Sequence, residues 1–201
     1  VILRLAMGNY SEILVVSQNR PLNRDEFQWG MRYAKNIIPL FWWGAFAEIH
    51  AQTSTMVVVD SSGQESREVV STLFADKSEA LNLLKEFELG LGALETIQDR
   101  LSFVEILIDD LKSAPGEWLQ LETGELEMMM DTEPFENWLQ EGLNFAKLVR
   151  ERQLQELDLT YGDLLSLSGI YIEAQDEACV RTRPPKLHSP GWEHSLIGVR
   201  P

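Results

Sequence analysis

Thr55-Met56-Val57-Val58-Val59-Asp60-Ser61-Ser62-Gly63-Gln64-Glu65-Ser66-Arg67-Glu68-Val69-Val70-Ser71-Thr72-Leu73-Phe74-Ala75-Asp76 decides the fold class. Two β-prone runs, Thr55 to Val59 and Arg67 to Phe74, flank Asp60-Ser61-Ser62-Gly63, residues that carry a backbone through a hairpin turn. The periodicity then changes. Asp76 and Glu79 stand at capping-box spacing, the aspartate placed to accept from first-turn amides and the glutamate to reach back. A helix begun there puts Ala80, Leu83, Leu84 and Phe87 on one face. A hairpin feeding an amphipathic helix predicts an α+β protein, antiparallel strands and hairpins packed with roughly three to five amphipathic helices.

Upstream, Tyr10 to Ser17 reads as a strand, because Ile13-Leu14-Val15-Val16 is a β-prone run closed by the turn residues Gln18-Asn19-Arg20-Pro21. Phe27, Met31, Ala34 and Ile38 recur at helical spacing up to Pro39, which predicts a helix. The almost continuously apolar Leu40-Phe41-Trp42-Trp43-Gly44-Ala45-Phe46 predicts a buried helix, with a sticky surface at the two tryptophans as the other reading.

Downstream, Gly90-Leu91-Gly92 reads as a helix-terminating break. It is no nucleotide loop, since it follows a helix and lacks a lysine at phosphate-loop spacing. Leu94, Ile97, Leu101, Val104, Ile108 and Leu111 alternate in steps of three and four, and Pro115-Gly116 stops the pattern. That stripe covers a core or, on the other reading, pairs two chains. Trp118 to Leu121 and Glu125 to Met129 flank Glu122-Thr123-Gly124 as a second predicted hairpin. Thr132 caps a helix running to about Leu157, with Pro134 tolerated early and Phe135, Trp138, Leu139, Phe145, Ala146 and Val149 inward. Leu164 to Leu167 is a short segment, Ile170 to Ile172 and Ala178 to Thr182 are predicted strands, and an irregular basic tail begins near Pro184.

The chain of 201 residues is 44% hydrophobic and 24% charged, suited to one globular domain spanning 1–201. Its charge is lopsided: 32 acidic against 17 basic side chains give −15, with a pI near 4.6. Such a field repels nucleic-acid backbones and anionic lipid and attracts basic proteins, so no direct nucleic-acid or membrane binding is expected. Cys179 is the only cysteine, which excludes an intramolecular disulfide and a cysteine metal cluster and fits a reducing compartment. Val1 to Ala6 is too short for a signal peptide, and Met7-Gly8-Asn9 looks like a natural start. Ile37 to Ala47 falls short of the roughly 20 residues of a membrane span and contains Pro39 and Gly44. The expectation is a cytoplasmic protein.

Catalytic patterns are sparse. His50 and Glu48 share one face only in a strand, while His188 and His194 flank Pro190-Gly191-Trp192 without a converging carboxylate set, so no metal or cofactor is expected. Ser166 to Gly169 lacks the nucleophile-elbow pattern, and Cys179 in a β-prone run reads as a small buried hydrophobe. The informative feature is acidic. No basic side chain lies between Lys112 and Lys147, a window that holds Glu117, Glu122, Glu125, Glu127, Asp131, Glu133, Glu136 and Glu141. Three readings compete: a solvated face, a carboxylate pair for hydrolysis, and a partner-binding face. On the third, Trp118 and Trp138, with the Met128-Met129-Met130 run, supply the desolvated centre, and Glu122, Glu125, Glu127, Asp131, Glu133 and Glu136 steer a basic protein. The basic tail, with Arg181, Arg183, Lys186 and Arg200, folds back on this acidic body or reaches a second chain, leaving homo-oligomers open.

Met7-Gly8-Asn9-Tyr10-Ser11 before a strand, together with Ile38-Pro39-Leu40-Phe41-Trp42, resembles segments of the bacterial immunity proteins that neutralise secreted interbacterial toxins. The resemblance covers about a third of the chain. It implies a non-enzymatic antitoxin-like inhibitor of a type VI-secreted effector, a nuclease with a basic cleft among the candidates. An unrecognised carboxylate- or metal-dependent hydrolase and an assembly adaptor are the alternatives.

Overall fold

The computed structural model describes residues 10–27, 30–59, 62–93, 100–129, 132–153 and 196–201. Strands β1 (Tyr10–Val16), β2 (Arg32–Lys35), β3 (Ala51–Val59), β4 (Glu65–Asp76) and β5 (Trp118–Glu122) form one sheet in the order β2-β1-β5-β4-β3. Every pairing is antiparallel. Helices α1 (Lys77–Leu91), α2 (Ser102–Ser113), α3 (Gly124–Glu127) and α4 (Thr132–Arg150) complete an α+β fold.

The hairpin expected from Thr55 to Phe74 is β3–β4, longer than its apolar runs, with Val59 opposite Glu65. Gly63 turns it at φ +83°, a left-handed value that only glycine adopts without strain. Asp76 then caps α1, its Oδ1 accepting from the amides of Ser78 at 2.9 Å and Glu79 at 3.0 Å. Glu79 does not reach back. Its carboxylate lies 3.2 Å from His50 Nε2 instead.

Alternation along the strands separates two faces. Ile13, Leu73, Ala75, Leu119 and Leu121 point into the core beneath α1, α2 and α4, where Leu84, Phe87, Val104, Leu107, Leu111, Phe135 and Ala146 meet them. The Leu94 to Leu111 stripe is therefore core along its described part, and Leu94 and Ile97 lie outside the described residues. Trp42 and Trp43 are fully buried in a 3-10 helix, Leu40–Ala45, rather than forming a sticky surface. Trp43 meets Trp138 edge to face at 6.5 Å. A Cβ on Gly142 would come within 2.4 Å of the Trp43 ring, so α4 needs glycine there.

Two expected elements differ. The helix expected from Phe27 to Ile38 is absent from the described residues of that stretch, where Arg32–Lys35 is a strand against β1. Of the apolar positions in that pattern only Ala34 falls in the strand, where alternation buries it with Arg32, and Asn36 at φ +63° with Pro39 following breaks helical continuity. The second hairpin is also absent. β5 is the central strand with β1 and β4 on its two edges, so no edge remains for Glu125 to Met129, which winds into α3.

Residues 196–201 dock on the outer edge of β2. Tyr33 and Val199 exchange two backbone hydrogen bonds of 2.9 Å, and Trp42 Nε1 donates to the Ile197 carbonyl at 2.8 Å. Buried Arg32 is 2.6 Å from Asp110 and donates to the Gly198 carbonyl at 2.7 Å, while Arg200 also pairs with Asp110. The end of the basic tail thus lies on the body. Residues 154–195, with the elements expected there, His188, His194, Ser166 and Cys179, lie outside the described residues.

Candidate functional site

The sheet face opposite the large helices carries the unusual chemistry. Glu12, Leu14 and Val16 of β1, Trp118, Gln120 and Glu122 of β5, and Val70, Thr72 and Phe74 of β4 share it by register. Leu22, Asn23 and Arg24 lie over this face. Gln120 accepts from the Leu22 amide at 2.7 Å and donates to its carbonyl at 2.9 Å, and Asn23 Oδ1 accepts from the Thr55 amide at 3.1 Å.

Glu12 and Glu122 are opposite residues in the β1–β5 ladder and only 1% and 2% exposed. Arg24 bridges Glu12 at 2.8 Å and Glu125 at 3.2 Å, and its guanidinium stacks over Phe27 at 4.7 Å. Glu12 also accepts from the Gly30 amide. Glu122 accepts from the Gly124 amide at 2.9 Å, Ser54 Oγ at 3.2 Å and Gln120 Nε2 at 3.2 Å. Burial outweighs those donors and the more distant Arg24, pushing the Glu122 carboxyl up to about 7.

A carboxyl titrating near neutrality beside a second carboxylate is the equipment of a general acid. Here both groups are sealed beneath Leu22 to Arg24, and their oxygens are occupied by the protein's own donors. The arrangement fastens the segment after β1 onto the sheet.

The expected partner-binding residues are therefore divided. Glu122 is buried on the face beneath Leu22 to Arg24, Glu125 is taken by Arg24 and the Tyr10 amide, and Glu127 accepts from the Ser71 amide at 2.6 Å. Trp138 is buried against Trp43 and Phe135, which removes it from any interface. Trp118 is half-buried and stacks on Phe74 at 5.3 Å. Glu136 and Glu141 are exposed on α4, and Glu117 is exposed just before β5. Glu133 belongs to the first turn of α4, and Asp131 lies outside the described residues. Among its described residues, the acidic segment does not form one continuous face. Glu12, Arg24, Asn23 and Gln120 were not singled out from the sequence; the signal was a glutamate inside an apolar strand and the alternation of Gln120 with Glu122.

Elsewhere, His50 is buried in a 3-10 turn, its Nδ1 accepting from the Ala47 amide at 3.0 Å. Among the described residues, no group of three or more His, Cys, Asp or Glu is arranged to hold a metal ion. No described helix is long and apolar enough to cross a membrane. No protein-family model, curated protein or solved structure matches the chain.

Proposed function

We infer that this protein acts by binding: it captures and neutralises a cationic partner protein in the cytoplasm, a secreted bacterial effector such as a nuclease being the case the resemblance implies. The observation that carries the reading is the division of its carboxylates. Those nearest one another, Glu12, Glu122 and Glu125, are committed to internal hydrogen bonds. The remaining excess, including Glu65, Glu68, Glu86, Glu105, Asp109, Glu117, Glu136 and Glu141, stands on the exposed surface of a chain of net charge −15. Surface charge of one sign steers and selects an oppositely charged partner without performing chemistry. Burial of Val104, Leu107 and Leu111 within the chain favours this over an adaptor that pairs through that helix.

Co-expression with the product of the neighbouring gene tests the reading. A basic protein should co-purify and be released as salt rises from 0.05 to about 0.5 M, where screening is nearly complete beyond a few ångströms. Absence of a complex, or a complex indifferent to salt, would contradict it.

A further inference from the structure

We propose that the outward edge of β4, from Glu65 to Val69, takes up an extended basic segment of the partner protein as an added strand. The inference rests on the binding reading above and names the surface that does the binding.

β4 pairs with β5 only from Thr72 to Asp76, whereas its pairing with β3 continues to Glu65. The hairpin therefore projects beyond the sheet, with one side of β4 past the reach of β5. At Ser71, the first residue beyond β5, that side is capped: its amide donates to Glu127 and its carbonyl accepts from Thr123 Oγ1 at 2.9 Å. Strand alternation aims the amides and carbonyls of Val69 and Arg67 the same way. Among the described residues, no hydrogen bond reaches them from that side.

The two outer strands of the sheet are each covered in part. Val199 pairs with Tyr33 on β2, and on β3 the outward Thr55 amide is taken by Asn23. The β4 edge also carries apolar surface. Val69 is 68% exposed, and Met128 and Met129, which follow Glu127 directly, are 46% and 54% exposed. Main-chain donors and acceptors flanked by apolar side chains are what strand addition uses.

Charge chooses the occupant. Glu65 and Glu68 are exposed along the edge, and Arg67 lies 3.8 Å from Asp25. A second copy is opposed by charge, since two bodies that each carry −15 repel. A lysine- or arginine-bearing segment with an apolar residue for Val69 meets no such opposition.

The probe is an alternating lysine–valine octapeptide, with a glutamate–valine octapeptide as control, read by amide hydrogen exchange of the full chain. The lysine peptide should slow exchange at Arg67 and Val69 by about tenfold or more, and the glutamate peptide should not. Val69→Pro removes an outward amide that makes no ladder bond, and Val69→Lys keeps the amide but repels a basic strand; both should abolish the protection. Unchanged exchange with the lysine peptide, equal protection by the glutamate peptide, or protection that survives both variants overturns the proposal. The two readings fail separately. If the neighbouring-gene product binds Val69→Pro and Val69→Lys as tightly as wild type, the edge is not the docking site although binding stands. If the lysine peptide protects this edge but that product does not bind wild type, the edge stands and the binding reading fails.

Discussion

Glu12 and Glu122 face each other across β1 and β5 with almost no exposure, and only Glu12 is bridged directly by Arg24. Directly opposed side chains have Cβ atoms about 5 Å apart, and two negative charges at that separation repel. Burial pushes the Glu122 carboxyl up to about 7, and the proton it retains below that pH removes one charge from the pair.

The retained proton gives stability a defined pH dependence. Burial raises the Glu122 carboxyl from 4.5 to about 7, so its folded form binds the proton more tightly than its unfolded form. Its contribution is complete below pH 4.5 and disappears as pH rises through about 7, a loss of about 3 kcal/mol. Glu122→Gln, measured by urea unfolding at pH 5 and pH 8, should flatten this part of the profile and be the more stable protein at pH 8 relative to wild type. An identical pH slope in both proteins would show that Glu122 is not the group responsible.

Arg24→Ala leaves Glu12 buried without its guanidinium. Removing one partner of a buried pair costs about 3 to 5 kcal/mol. The loss should be accompanied by faster amide exchange at Leu22 and Thr55, whose amides bond to Gln120 and Asn23. Slower unfolding, or exchange unchanged at both amides, would rule out the fastening role.

Asp76→Ala removes the side chain that accepts from two first-turn amides of α1. Loss of such a cap costs about 1 kcal/mol. Thermal unfolding should register the loss, and Asp76→Asn should recover most of it.

Gly90→Ala tests a close approach of α1 and α4. An added Cβ would lie 2.0 Å from the Val149 carbonyl oxygen, so one backbone must move. The substitution should cost about 1 to 3 kcal/mol by overpacking, although alanine is otherwise favoured over glycine in a helix by about 1 kcal/mol. A stabilised variant would place α4 farther away.

The parts of the fold legible in the sequence are those set locally. The turn at Gly63 and the cap at Asp76 each depend on residues within a few positions of one another. β2 was hidden because only Ala34 of the apolar repeat lies in it, its other buried residue being the charged Arg32, and its identity depends on a partner strand distant in sequence. α3 was hidden because the sequence does not reveal that both edges of β5 are occupied. The same non-local pairing governs the candidate site. The run of acids from Glu117 to Glu141 looks uniform in one dimension, yet Glu122 is buried on the sheet face away from the large helices, Glu125 meets Arg24, and Glu136 meets solvent.

Titration of the purified protein into the purified product of the neighbouring gene, with that product's own activity as the readout, tests the central claim most directly. The account predicts that activity falls to background near one equivalent, with no turnover by this chain alone. Activity that persists through a large excess would contradict it.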